Sequence, residues 1–228
     1  MKTIVSKLSV AVIGTIVMAG AHAATTTVTS IGEHARQGVL ATNNFNRASK
    51  NVTVQSYDIG TSDGGKFLAL CIEPTVAMDR ALATTYSVST YTGFANNVQI
   101  QRLFSEYYDD ALASTSASLS FQLALWELNN DTGGKLVGTG ADVGAFSFAQ
   151  VPSTGNNKVL LTEANNMVNY ALSNAAITQT YTYTLFQSAS SQSLVAATIS
   201  AVPEPSTYAM LGLGLALVGF AARRRKQG

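Results

Sequence analysis

A single cysteine, Cys71, stands in a chain whose two ends both read as export signals. One thiol cannot close an internal disulfide. An unused thiol outside the cytoplasm also tends to oxidise or to pair with another molecule. The plain reading of Cys71 is a buried small hydrophobe in the strand Lys66-Phe67-Leu68-Ala69-Leu70-Cys71-Ile72. The functional reading needs a partner for the sulfur elsewhere in the chain.

The N-terminus carries Lys2 and Lys7, an apolar run over residues 8–19 and the small-x-small triplet Ala21-His22-Ala23. This is the layout of a signal peptide, with signal peptidase expected to cleave after Ala23; the run is short for a retained membrane anchor. At the other end, Pro203-Glu204-Pro205-Ser206 precedes the uncharged stretch 207–222 and the cluster Arg223-Arg224-Arg225-Lys226. A helix over that stretch would rise about 24 Å, slightly less than a hydrocarbon core. The four cations would stop transfer on the cytoplasmic side. These segments predict a temporary or marginal membrane anchor with the body of the protein outside.

In that order, Val202-Pro203-Glu204-Pro205-Ser206, the short apolar helix and the basic tail resemble the PEP-CTERM sorting signal. The resemblance implies a Gram-negative bacterium that makes extracellular polysaccharide. It also implies cleavage near Pro-Glu-Pro by an exosortase, after transient membrane association, and release to the cell surface or matrix. The chain divides accordingly into residues 1–23 (signal peptide), 24–202 (folded body) and 203–228 (sorting signal).

The body, about 180 residues long, suits one domain with a real core. The chain has 14 Lys and Arg against 13 Asp and Glu. Lys2, Lys7, Arg223, Arg224, Arg225 and Lys226 lie in the removed ends, against one acid, Glu204, so the body is net anionic. That argues against nucleic acid, which calls for clustered Lys and Arg. No metal-ligand spacing is present and no cofactor is expected. Asn51-Val52-Thr53 and Asn130-Asp131-Thr132 match an N-glycan acceptor pattern.

β-Branched residues predict strands over 25–30 and 52–57, a turn over 58–65, and a strand from 66 that ends at Cys71 before Glu73-Pro74. Residues 86–91 predict another strand. Ile100, Leu103, Phe104, Tyr107 and Ala111 then recur at helical spacing. Ser114-Thr115-Ser116 breaks that helix and can cap a second over about 117–129, which Asp131-Thr132-Gly133-Gly134 ends. A third helix is expected over about 157–175, with Leu160, Ala164, Met167 and Ala171 on one face. Strands return at 180–187 and 194–200. Strands, then helices, then strands predict an α+β class.

The second helix contains Phe121-Gln122-Leu123-Ala124-Leu125-Trp126-Glu127. Gln122 and Trp126 share a face, beside an apolar stripe of Phe121, Leu125 and Leu128. A glutamine on a half-apolar face costs free energy unless its amide has partners. A bond to a backbone group would satisfy it. So would chemistry with Cys71: a thiol held against a carboxamide carbon can expel ammonia and leave a thioester. That reaction needs orientation and exclusion of water. Trp126, one turn along, is placed to cover the bond.

Leu70-Cys71-Ile72-Glu73 and Phe121-Gln122-Leu123-Ala124-Leu125-Trp126 resemble the two motifs of bacterial thioester domains, hydrophobic–Cys–hydrophobic–acidic and hydrophobic–Gln–x–x–hydrophobic–Trp. The helix before the glutamine, with Tyr107-Tyr108, fits as well, and the likeness spans roughly residues 50–185. Phe121 departs from the threonine found in many Gram-positive members. The resemblance implies a β-sandwich or barrel-like sheet portion with an inserted small helical bundle. It implies Cys71 as thiol donor, Gln122 as acyl donor, and Trp126, Phe121 and Leu125 as shielding. Covalent attachment to a nucleophile on a surface, matrix polysaccharide or partner would follow, in a protein that is not an enzyme. Glu73 is either a polar helper or a solvated turn residue. The alternative is a non-reactive matrix protein of the same fold. A Cys–His hydrolase would require His34 beside Cys71.

Overall fold

The computed structural model describes residues 25–41, 43–44, 51–62, 64–78, 85–131, 135–138, 144–200 and 213–215. Its strands are β1 (Thr25–Leu40), β2 (Asn43–Asn44), β3 (Asn51–Thr61), β4 (Lys66–Cys71), β5 (Thr85–Thr90), β6 (Phe146–Ser147), β7 (Tyr181–Gln187) and β8 (Leu194–Ile199). Its helices are α1 (Asn97–Ala113), α2 (Thr115–Asn130) and α3 (Asn156–Leu172). Six strands close into a barrel in the order β1-β3-β4-β8-β7-β5, every pair antiparallel. The three helices are inserted between β5 and β7. The expected α+β class, a barrel-like sheet with an inserted helical bundle, is the observed one.

Two strands are longer than their β-branched stretches predict. β1 continues through Gly32, Glu33, His34 and Gly38 because it pairs with β3 from Val28↔Thr61 to Leu40↔Asn51, while Thr25, Thr26 and Thr27 pair with β5. Its register shifts twice, between Val28 and Ser30 and between Glu33 and Ala35. Such bulges bend and twist a strand, as closure of a barrel requires. The expected turn over 58–65 shrinks for the same reason: Asp58, Ile59 and Gly60 pair with β1 on one side and β4 on the other. The turn itself is closed by Gly64 N–H on the Thr61 carbonyl (2.9 Å), with Gly64 at φ +84°. That left-handed conformation is what glycine supplies without a steric penalty.

Ser114 is both the last cap of α1 and the first cap of α2, where its side chain accepts from the Ala117 N–H at 3.4 Å. α1 buries Ile100, Leu103, Phe104, Tyr108 and Ala111. Tyr108 therefore replaces Tyr107 on the inward face, and Tyr107 packs edge-on against Tyr170 of α3. α3 buries the expected face plus Leu161 and Val168, and ends at Leu172 rather than near 175. α2 is buried on every side from Ser118 to Leu128. It lies between the sheet and α3, so it shows almost no amphipathic stripe. Phe104 of α1 meets Phe121 of α2 and Tyr183 of β7 edge to face, each at 4.9 Å, tying the three elements together.

Candidate functional site

β4 meets the helical bundle where its pairing with β3 runs out. The β3–β4 register ends at Ser56↔Leu70, one residue before Cys71. On the other side Cys71 stands opposite Leu194 of β8, and the next peptide closes that ladder with Ile72 N–H on the Ser193 carbonyl (3.4 Å). The peptide groups of Cys71 on the β3 side would be orphaned in a buried setting, which chains do not tolerate.

α2 supplies the missing partner. Ser118, Gln122 and Trp126 recur every four residues and form one stripe along it. Ser118 Oγ is 3.0 Å from Ser56 Oγ of β3, which fixes that stripe against the sheet. Gln122 Oε1 accepts from the Cys71 N–H at 2.8 Å, and Gln122 Nε2 donates to the Cys71 carbonyl at 2.8 Å. Trp126 Nε1 donates to the same carbonyl at 2.9 Å. The carboxamide thus takes the place of the next β3 peptide, and a fully buried glutamine has both its heteroatoms satisfied. The structure brings Cys71, Gln122 and Trp126 together across 51 and 55 positions of sequence.

The Cys71 sulfur is also buried. Burial pushes the thiol far above its usual range, opposed in part by the Trp126 indole and the Glu73 N–H, with the Glu73 charge pushing the same way as burial. The thiol is protonated at neutral pH. A cleft of about 320 Å³ opens onto Cys71, lined among others by Arg36, Thr53, Gln55, Tyr57, Trp126 and Gln192.

The other sequence candidates distribute as follows. Glu73 is half-buried; its carbonyl accepts from the Val76 N–H at 3.0 Å, which opens a turn, and its Oε2 accepts from the Ser193 N–H at 2.8 Å, which joins the end of β4 to the start of β8. Phe121 lies in the aromatic cluster with Phe104 and Tyr108 and is not among the residues lining the cleft. Leu125 is fully buried in the common core. Trp126 is covered from the far side by Phe146 at 6.1 Å. His34 holds Asp58 through Nδ1 (3.1 Å) and lines a second cavity with Thr115 and Ser116; His34 does not line the Cys71 cleft, although Arg36 lines both. Pro203, Glu204, Pro205, Arg223, Arg224, Arg225 and Lys226 lie outside the described residues, as does the signal peptide. Residues 213–215 are helical and exposed. Among the described residues, no helix is long and apolar enough to cross a membrane and no metal-binding cluster is present.

Several cleft residues carried no sequence signal. Arg36 sits in the part of β1 whose glycines and polar residues mask its strand character. It stands directly opposite Gln55. Gln192, in the β7–β8 loop, donates to the carbonyls of Glu73 (3.0 Å) and Val76 (2.8 Å) and so holds the cleft wall.

Comparison with known proteins addresses the C-terminus directly. Residues 201–226 match the PEP-CTERM protein-sorting motif. The chain carries an export-and-sorting tail. The motif implies exosortase-mediated processing and membrane-linked sorting to the surface. No curated protein matches the sequence. Among solved structures, the N-terminal domain of the Streptococcus pyogenes pilus tip adhesin Cpa is similar over 64% of this chain and 84% of that one, at 14% identity and a TM-score of 0.42. The N-terminal thioester domain of a surface protein from Clostridium perfringens is similar over 64% and 89%, at 10% identity and a TM-score of 0.41.

Proposed function

We propose that the body forms an internal thioester between Cys71 and Gln122 and uses it to attach covalently to a nucleophile on a surface, matrix or partner. The observation that carries this reading is the seat of the Gln122 carboxamide on the peptide groups of Cys71 itself. The sulfur is one rotatable bond from the backbone that the carboxamide grips. Sγ adds to the carbon Cδ, the Cδ–Nε2 bond breaks, and ammonia departs with the thiol proton. The Cys71 N–H on Oε1 stabilises the negative charge that develops on that oxygen, as an oxyanion-hole donor does. Burial keeps water from the bond. The protein is then a single-use attachment device and not an enzyme.

In the same reading the peptide Pro203-Glu204-Pro205 is the exosortase site, signal peptidase removes residues 1–23, and the mature body reaches the outer surface or polysaccharide matrix of a Gram-negative cell. The bidentate seat of Gln122 also suits a second reading, an unreactive matrix protein in which the glutamine only completes a β-ladder.

Methylamine separates the two. Treated exported protein should carry the amine on Gln122, located by peptide mass spectrometry, and should gain a titratable thiol. Cys71→Ala should abolish the adduct. Untreated wild-type protein with a stoichiometric free thiol, and no adduct after treatment, would establish the second reading instead.

A further inference from the structure

We infer that the Cys71 cleft takes an anionic, hydroxyl-bearing ligand of the uronate saccharide type, with Arg36 on its carboxylate and one of its hydroxyls as the attacking nucleophile. This rests on the proposed thioester.

Arg36 is exposed and lines the cleft, and its side chain has no ion pair or hydrogen bond among the described residues. The neighbouring carboxylates are committed elsewhere: Glu33 Oε2 accepts from Gln55 Nε2 at 3.1 Å, and Glu73 from the Ser193 N–H at 2.8 Å. Neither lines the Cys71 cleft, while Glu33 and Arg36 both line the second cavity. Among the described residues the cleft therefore presents one cation without an ion pair, in a planar fork that matches a carboxylate. Its other polar groups, Thr53, Gln55, Tyr57 and Gln192, are neutral, which suits hydroxyls. Tyr57 and Trp126 line the cleft while being nearly fully buried, 4% and 3% exposed. A lysine side chain would bring an ammonium beside Arg36 and would have to lose a proton before attacking. A hydroxyl enters uncharged.

The step balances without a co-reactant. The ligand oxygen bonds to Cδ of Gln122, the Cδ–Sγ bond breaks, and the hydroxyl proton passes to the sulfur. The product is an ester and a restored thiol. Because the sulfur is buried, it leaves far better as thiol than as thiolate.

The test uses exported protein and three probes: digalacturonate, the neutral disaccharide galactobiose, and Nα-acetyl-lysine amide. Trp126 is the only tryptophan and lines the cleft, so its fluorescence reports occupancy whether or not a bond forms. In Cys71→Ala, which keeps the Gln122 backbone bonds, digalacturonate should bind about threefold or more tighter than galactobiose, within the range of one exposed ion pair. Arg36→Gln should remove that margin. In the wild type, digalacturonate should add to Gln122 and the lysine probe should add more slowly. A thioester that reacts with the lysine probe as fast or faster, or an anion preference unchanged in Arg36→Gln, would overturn this inference and leave the proposed function standing. A wild-type chain with full mass and a free thiol would overturn both.

Discussion

Gln122 commits both heteroatoms of one side chain to a single residue, and the consequence is measurable apart from any reactivity. In a Cys71→Ala background no thioester can form. There, Gln122→Ala should cost about 3 kcal/mol in urea unfolding, because the N–H and carbonyl of residue 71 are left buried without their main partner. Cys71→Ala alone, measured against wild-type protein already opened with methylamine, should cost about 1 kcal/mol, the loss of one small buried group. Near-equal costs for the two would mean that the carboxamide does not complete the ladder. Glu127, the residue after Trp126, is a second buried oddity. It is 1% exposed, and among the described residues neither carboxylate oxygen has a hydrogen-bond partner. Burial, with a smaller contribution from the Asp131 charge, raises its pKa from 4.5 to about 8. The folded state therefore holds a proton that the unfolded state releases at lower pH. Stability is lost as pH rises from about 4.5 to about 8, by about 1.4 kcal/mol per pH unit within that window. Glu127→Gln cannot ionise, so its stability relative to wild type should climb across the same window and level off outside it. A flat difference between pH 4 and 9 would contradict the buried, protonated carboxyl.

At the scale of elements, the helices were more legible than the strands. Ile100, Leu103, Phe104 and Ala111 mark the inward face of α1 because a helix packed on α2 and α3 keeps one wet side. The same reasoning fails for α2. It has no wet side, so its pattern shows stripes where the structure has all-round burial, and a Gln122 expected on a half-apolar face is fully enclosed. The second half of β1 was invisible because its glycines, Gly32 and Gly38, and its charged residues have low strand propensity. Pairing with β3, not propensity, makes it a strand. That loss matters for the site, since it hid Arg36. The Cys71 and Gln122 motifs were readable as motifs; the ladder gap that joins them is a property of where β3 and β4 part, which no local pattern encodes. Ser114 was legible as a boundary. Its role as a cap predicts that Ser114→Ala lowers stability by about 1 kcal/mol, seen as a lower midpoint in thermal unfolding. An unchanged midpoint would show that the chain direction, and not the side-chain bond, separates α1 from α2.

At the scale of the whole molecule, the sorting motif and the proposed attachment site occupy separate parts of one chain. The sorting motif occupies residues 201–226, beyond the last barrel strand, β8, which ends at Ile199. Cleavage near Pro203 would therefore leave the barrel and its Cys71 cleft whole. Terminal peptide sequencing of the exported protein should find a new N-terminus near Ala24 and no peptide containing Arg223, Arg224, Arg225 or Lys226. Recovery of that basic tail from the extracellular fraction would contradict release by cleavage. The central claim is the bond between Cys71 and Gln122, and intact mass measures it most directly. Exported wild-type protein, isolated gently and without amines, should weigh one ammonia less than the sum of its residues, and Cys71→Ala should show its full mass. Wild-type protein at full mass with a free Cys71 thiol would contradict the account.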